Sequence, residues 1–283
     1  MSQTILHDPA TLISLVVDLM PQWPRSSVII EAHLPGGYAH ANYRIRIDDR
    51  RFALRTPGHC PQHAELAFEA QWLSSLPADI GVRTVAYDAV TGALLTAWIE
   101  APLLAQTQAT PVELVSYLVG LHSRLPKTGR RYGLAARVDV WLAQWQLKGV
   151  RGHAVARARA RQSRRDLPEQ TTHNDLNPWN ILCATDGWRT LDWEWVGTND
   201  PLFDLVTLGL GVQVDHPTLV EMARDYGDRA SLATSTVADR LDHAICGFWL
   251  REYAWAEHEI GVGYIRPEVL AQRDHALAQL CQL

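Results

Sequence analysis

A chain of 283 residues, 47% of them hydrophobic, is long enough for two lobes with separate cores and too apolar to remain unfolded. Charged residues make up 20% and the formal net charge is −5, which excludes a molecule whose whole surface seeks nucleic acid or an anionic membrane and leaves a small-molecule ligand as the expectation. Cys60, Cys183, Cys246 and Cys281 lie far apart with no C-x-x-C pair, so neither a disulfide framework nor a zinc ribbon is expected, and a reducing cytoplasm fits.

The apolar stretch from Leu12 to Met20 contains Asp18 and is too short to span a bilayer, so it reads as an amphipathic helix of a soluble protein. Three strands follow, at Ser27 to Glu31, Asn42 to Ile47 and Arg51 to Thr56, with a Pro35-Gly36-Gly37-Tyr38 loop and a polar Asp48-Asp49 turn between them. Helical spacing from His63 to Leu76 ends at Pro77, and two further strands are expected at Arg83 to Tyr87 and Ala93 to Ile99. Beyond Pro102 the pattern turns helical: Val112 to Leu125, Val138 to Leu147, the arginine-rich Arg151 to Arg165, and everything from Pro201 on. A short β-rich piece holding Asn180 to Leu182 and Thr190 to Trp193 interrupts it. The expected class is α+β with two lobes, residues 1–100 and 101–283, and a nucleotide cleft near residue 100.

The stretch His173-Asn174-Asp175-Leu176-Asn177-Pro178-Trp179-Asn180 reads H-x-D-x-x-x-x-N, and twelve residues after Asn180 comes Asp192-Trp193-Glu194. Phosphoryl transfer asks a protein mainly for positioning and charge neutralisation: one carboxylate beside the attacking hydroxyl, and oxygen ligands for a magnesium ion that bridges nucleotide phosphates. Asp175 suits the first task; Asn180 and Asp192 suit the second.

These motifs, with Asn199-Asp200-Pro201-Leu202-Phe203-Asp204-Leu205 beyond them, resemble the catalytic core of the choline/ethanolamine kinase branch, thiamine kinases included, of the aminoglycoside-phosphotransferase superfamily. Asn174 fits that branch better than the aminoglycoside-modifying members, which usually have Gly there. The resemblance implies a two-lobed protein-kinase-like fold: a small antiparallel β-sheet lobe with one main helix, and a larger, mainly helical lobe. It implies ATP and Mg2+ as cofactors, Asp175 as catalytic base, Asn180 and Asp192 as metal ligands, and His173 as support of the loop. Glu194 and Asp204 become supporting carboxylates.

The likeness extends to the first lobe. Gly36-Gly37 followed by Asn42 resembles the family's glycine loop, where the lack of a Cβ lets backbone N–H groups approach phosphate oxygens. His40 departs from the Asn common in related kinases. Arg55 stands at the third-strand position where kinases place the cation that grips nucleotide phosphates, most of them with Lys; a guanidinium serves through its bidentate fork. Glu69 on the following helix is the candidate to hold Arg55, with Glu65 one turn earlier as the alternative. Trp98-Ile99-Glu100 matches the place where adenine meets backbone, and His122 reads as structural.

Acceptor choice should lie in the late helices. Trp249 and Tyr253 share one helical face, and Glu252 with Trp255 and Glu259 lies near another. Aromatic faces with carboxylates suit a quaternary ammonium or thiazolium cation, although aromatics at this spacing more often build a core. The arginine run Arg151 to Arg165 has no interleaved aromatics and reads as a solvated helix face rather than a nucleic-acid site. The expected partner is a small hydroxyl-bearing metabolite, with no nucleic acid and no membrane. An aminoglycoside or sugar-like acceptor, or a nucleotide-binding regulator without turnover, are the alternatives.

Overall fold

A computed structural model describes residues 7–34, 40–57, 66–162 and 170–283. The glycine-loop residues Gly36 and Gly37, and Glu65, lie outside them. By its contacts the chain divides into two compact units, one made of Gln3–Gln108 and Pro178–Trp195, the other built on Ala109–Asn177 and Val196–Leu283.

The first unit begins with α1 (Pro9–Leu19), whose start is set by Asp8: its carboxylate accepts from the Ala10 and Thr11 N–H groups, and proline occupies the first turn, where no N–H is needed. Strands β1 (Val28–Leu34), β2 (Asn42–Ile47), β3 (Arg50–Arg55), β4 (Thr84–Tyr87) and β5 (Leu94–Ala97) form one antiparallel sheet in the order β1-β2-β3-β5-β4. The first three strands form a meander, and β5 rather than β4 lies beside β3. The β2–β3 turn is two residues long, Ile47 pairing with Arg50, and Asp48 takes the left-handed conformation such a tight turn needs (φ 51°).

Strict alternation sorts the side chains of β2 and β3. Tyr43, Ile45, Ile47, Phe52 and Leu54 are buried in one core with Leu12 and Val16 of α1. The opposite face receives Arg44, Arg46, Arg51 and Arg55. Glu31, at the irregularity in β1, gathers the first three of these arginines: its carboxylate lies 2.9, 3.2 and 2.9 Å from Arg44, Arg46 and Arg51. Helix α2 (Leu66–Ser75) and a hairpin of β6 and β7 (Ile181–Ala184 and Gly187–Thr190) complete the unit. The hairpin is tied on by Thr190 N–H to the Ile80 carbonyl (2.7 Å) and Cys183 N–H to the Pro102 carbonyl (2.8 Å).

The second unit is helical: α3 (Pro111–Arg124), α4 (Leu134–Leu142), α5 (Gly149–Gln162), α6 (Leu202–Gly211), α7 (His216–Arg229), α8 (Thr234–Gly261) and α9 (Pro267–Gln282). A reciprocal Thr110–Glu113 capping box starts α3. Helix α4 starts and stops about four residues earlier than the apolar spacing suggests; Gly133, in the left-handed region (φ 64°), sets its start. The arginines of α5 are not merely solvated: Arg157 donates to the Leu280 and Cys281 carbonyls and Arg161 to Leu283, so they cap the C-terminal end of α9, where the helix dipole favours positive charge. Two short strands absent from the sequence expectation, Gln170–Thr172 and Gly197–Asn199, pair antiparallel on either side of the segment that carries the H-x-D-x-x-x-x-N and D-x-E motifs. Among the described residues, no helix is long and apolar enough to cross a membrane.

Candidate active site

The sequence motifs resolve into two clusters, one in each unit. In the helical unit, the short strand Gln170–Thr172 delivers the chain to His173-Asn174-Asp175. Asn174 adopts φ 68°, a left-handed conformation that glycine tolerates best and asparagine next. That is the physical reason a Gly or an Asn suits this position. Its side chain accepts from Asn199 Nδ2 (2.9 Å) and Thr172 Oγ1 (3.1 Å) and donates to the Thr172 carbonyl (3.1 Å), fixing the bend.

Asp204, in the first turn of α6, clamps the same backbone: its two oxygens accept from the His173 and Asn174 N–H groups, both at 2.7 Å. His122 approaches the carboxylate through Nε2 at 3.0 Å and meets the Tyr226 hydroxyl through Nδ1 at 2.8 Å. Burial alone would raise the Asp204 pKa, but the His122 hydrogen bond and charge, with the backbone donors, outweigh it and hold the carboxyl below its ordinary value. A second buried pair, Asp200 with Arg240, bonds at 2.9 and 2.8 Å, and Asp200 also accepts from the Leu202 N–H (2.9 Å) at the start of α6.

Asp204→Asn should therefore destabilise the protein by about 2–4 kcal/mol at neutral pH, since one N–H loses its acceptor and the charge is removed. The native carboxyl titrates below its unfolded value, so its contribution is complete above the unfolded pKa of about 3.9 and fades as pH falls through the lower native value. Urea denaturation of both proteins from pH 7 downward checks this: the gap should hold to about pH 4 and then close. A gap that instead closed above pH 5 would contradict the assignment.

The Asp175 carboxylate is part-exposed and held from two sides. Asn177 Nδ2 lies 3.2 Å from Oδ2, and Arg251 Nη1 lies 3.1 Å from Oδ1. His173 is fully buried and its Nδ1 accepts from the Asp175 N–H at 3.2 Å, which braces the loop.

In the sheet unit, Arg55 at the end of β3 makes a two-pronged pair with Glu69 of α2, Nη1 to Oε1 at 2.8 Å and Nη2 to Oε2 at 2.9 Å. Arg55 Nη1 also lies 3.5 Å from Asp192 Oδ1, and Nη2 donates to the Gly92 carbonyl at 3.2 Å. Glu69 is 2% exposed and accepts from the Tyr87 hydroxyl at 2.7 Å. Burial works against the Arg55 charge, but Glu69 outweighs it and the guanidinium is held more firmly protonated than usual.

The D-x-E motif is organised by its middle residue. Trp193 is buried against Trp72 (ring centroids 5.9 Å apart), and its Nε1 donates to the Thr190 carbonyl at 3.2 Å. Asp192, in the left-handed region at φ 57°, turns the chain beside it. Asn180 closes the 3-10 turn Pro178–Asn180, and its carbonyl accepts from the Leu191 N–H at 2.8 Å, so the two prospective metal ligands are linked through backbone. His40 Nδ1 lies 2.8 Å from the Thr56 carbonyl, which can only accept, so this nitrogen carries a proton; Nε2 lies 3.7 Å from Glu194. Burial lowers the His40 pKa, and Glu194 more than reverses this.

Glu69, Asp192 and Glu194 place three carboxylates around Arg55 and His40. Burial first, and Glu194 next, push the Asp192 pKa up to about 6. Asp192 and Asn180, twelve residues apart and linked through the Leu191 N–H bond to the Asn180 carbonyl, are oxygen donors of the kind a hard divalent cation takes. Magnesium needs only one or two carboxylates, completing its shell with phosphate oxygens and water.

At the end of the sheet, the Trp98 N–H is bonded to the Arg51 carbonyl (3.3 Å), its indole donates to Glu100 (2.8 Å), and Arg44 stacks over the ring at 5.4 Å. On α8, Tyr253 is fully buried with its hydroxyl on Glu257 (2.8 Å), whereas Trp249 and Trp255 are partly exposed. Trp249 meets the Phe248 and His275 rings edge-on at 4.8 and 5.0 Å. Glu252 is engaged by Arg251 and Gln272. Sequence reasoning did not assign Arg251, Tyr87 or Arg240; each has a partner distant in the chain, and no local pattern marks them.

The thiamine kinase of Shigella boydii serotype 4 (strain Sb227) is 26% identical over 238 residues, 80% of each chain. Among solved structures, the choline kinase LicA from Streptococcus pneumoniae superposes with a TM-score of 0.76 at 15% identity, covering 97% of this chain and 99% of its own. A choline/ethanolamine kinase family protein from Mesorhizobium loti gives 0.69 at 20% identity over 96% and 93%. The architecture is the two-lobed, α+β protein-kinase-like fold. A family model described as the phosphotransferase enzyme family, APH, matches residues 32–240, more than half of the chain, and the protein belongs to that family.

Proposed function

We propose that this protein transfers the γ-phosphoryl group of ATP, with magnesium, to the hydroxyl of a small cationic metabolite, and that thiamine is the first acceptor to test. The observation that carries the reading is the division of labour between the clusters. One offers a carboxylate, Asp175, locked in orientation on a clamped loop. The other offers a fixed cation, Arg55, beside the crowded carboxylate Asp192. Those are the requirements of phosphoryl transfer, in which the protein contributes position and charge rather than covalent chemistry.

In this reading Asp175 orients the acceptor hydroxyl and takes its proton, Arg55 holds phosphate oxygens, and Asn180 and Asp192 hold the metal. Magnesium, when bound, would neutralise charge on the phosphate oxygens. Gly36 and Gly37 would contribute backbone donors to the phosphates, and Trp98 to Glu100 would border the adenine. The cationic acceptor is supported by the part-exposed indoles of Trp249 and Trp255 and by relatives named as thiamine kinases over 80% of the chain.

The test is an acceptor screen by coupled ADP release with thiamine, choline, ethanolamine, hygromycin B and a simple sugar alcohol. Thiamine is expected to give the largest kcat/KM, by at least about tenfold, because an aromatic-walled site discriminates a planar cation from smaller amines. Turnover restricted to the aminoglycoside would replace the metabolite by an antibiotic. Stabilisation by MgATP without turnover of any acceptor would favour a nucleotide-binding regulator.

A further inference from the structure

Arg251 is 8% exposed in the middle of α8, within the helical unit, and nothing in the motif pattern singles it out. Its guanidinium is nearly saturated. Nη1 donates to the Asn174 carbonyl at 2.5 Å and lies 3.1 Å from Asp175 Oδ1, while Nε and Nη2 both reach Glu252 Oε1, at 2.8 and 2.5 Å. Glu252 Oε2 accepts in turn from Gln272 of α9. The rings of Phe203 and Phe248 lie 5.6 and 5.3 Å from the guanidinium carbon.

A buried arginine is expensive to desolvate, and an apolar side chain of similar size would often serve stability as well. What an apolar side chain cannot do is grip a backbone carbonyl and a carboxylate together. Arg251 grips both at the loop that carries the reacting carboxylate: the carbonyl of left-handed Asn174 and the side chain of the next residue. With Asn177 on the other oxygen, Asp175 is left little rotational freedom.

We propose that Arg251 is the positioning residue of Asp175, and that Glu252 with Gln272 acts by holding Arg251 rather than by touching the acceptor. The proposal rests on the kinase reading above and deepens it. It reassigns Glu252, which the sequence alone places in the acceptor pocket, and makes Trp249 and Trp255 the main aromatic surfaces of α8 for the acceptor. Among the described residues, titratable groups near the Asp175 carboxylate include Arg251 from α8 with Glu252 bonded to it, His173 from its own loop and Tyr132, whose ionisation burial opposes more strongly than the Arg251 charge favours it.

The experiment compares Arg251→Gln, Arg251→Lys and Glu252→Gln with wild type by steady-state kinetics in both substrates, with thermal melting as the control for folding. Arg251→Gln should lower kcat about a hundredfold with the nucleotide KM little changed, because misplacement of a reacting group by about an ångström costs that much. Arg251→Lys should recover only part, since an ammonium cannot span the carbonyl and both carboxylates. Glu252→Gln, nearly isosteric, should lower kcat while leaving the acceptor KM within about threefold. The opposite split, a raised acceptor KM with wild-type kcat, would make Glu252 an acceptor ligand and overturn the proposal. A folded Arg251→Gln enzyme with wild-type kcat would do the same.

If Arg251→Gln does not fold, Glu252→Gln decides. If the wild type turns over no acceptor, the kinase reading fails on its own. Arg251 is then judged by the Asp175 carboxyl titration, followed by carbon NMR: it should move upward on loss of the guanidinium in Arg251→Gln, and an unmoved titration in that variant overturns the proposal.

Discussion

Asp175→Asn is expected to lower kcat about a thousandfold, about 4 kcal/mol of barrier, while MgATP binding stays within about threefold of wild type. The substitution is close to isosteric, and its remaining carbonyl oxygen can still accept from Arg251, so the loop clamped by Asp204 should keep its shape. What is lost is an anion able to orient a hydroxyl and receive its proton. Because Arg55, Glu69 and Asp192 belong to the other cluster, the nucleotide terms should be spared. Turnover measured by ADP release, and nucleotide affinity by calorimetry, separate the two. A kcat within tenfold of wild type would remove Asp175 from the centre of the mechanism; a matching collapse of nucleotide affinity would mean that the loop, not the carboxylate, had been damaged.

Legibility of the fold in the sequence followed the length and regularity of each element. Strand β2 occupies Asn42–Ile47 as read, because Tyr43, Ile45 and Ile47 alternate strictly with polar residues and the Asp48-Asp49 turn closes it. The strands Gln170–Thr172 and Gly197–Asn199 could not be read, since three residues of Gln, Thr, Gly and Asn give neither hydrophobic alternation nor β-branched enrichment beyond the threonines. Their pairing is justified only by what lies between them. The order of β4 and β5 escaped for another reason: antiparallel strands joined by a short turn look the same in sequence whichever of them lies against β3.

The site divides in the same way. Asp175, Asn180 and Asp192 could be named from the spacing of their motif, and Arg55 from the resemblance to kinases. The pairing of Arg55 with Glu69 was narrowed to a choice between two helix positions, and the structure shows the bond to Glu69. Contacts distant in sequence carried no signal even where the residues themselves did: His122 and Asp204 were both named, but not their bond across 82 positions, and Arg251, which reaches Asn174 across 77, was not named at all. Tyr253 and Trp249 share a helical face in projection, yet one is sealed in the core and the other is part-exposed. Periodicity reports which residues share a stripe, and burial depends on what packs against it.

Asp192→Asn should separate function from stability. Turnover is expected to fall by about a thousandfold or more, because an amide cannot replace a carboxylate as a magnesium ligand and Arg55 loses its second anionic neighbour. The apo protein, however, should melt at or above the wild-type temperature. Asp192 is a carboxylate whose charged form the fold disfavours, with Glu194 the principal like-charged neighbour, and Asn removes that charge while still tolerating the left-handed backbone at this position. MgATP should raise the melting temperature of the wild type by several degrees and that of the variant by much less. An apo variant that melted well below wild type would show Asp192 to be a structural member of the Arg55–Glu69 network. A variant that kept the full MgATP shift would show that the metal is held elsewhere. A lower apo stability for the charged residue, recovered when nucleotide and metal arrive, is the pattern expected of a carboxylate whose partner is a ligand.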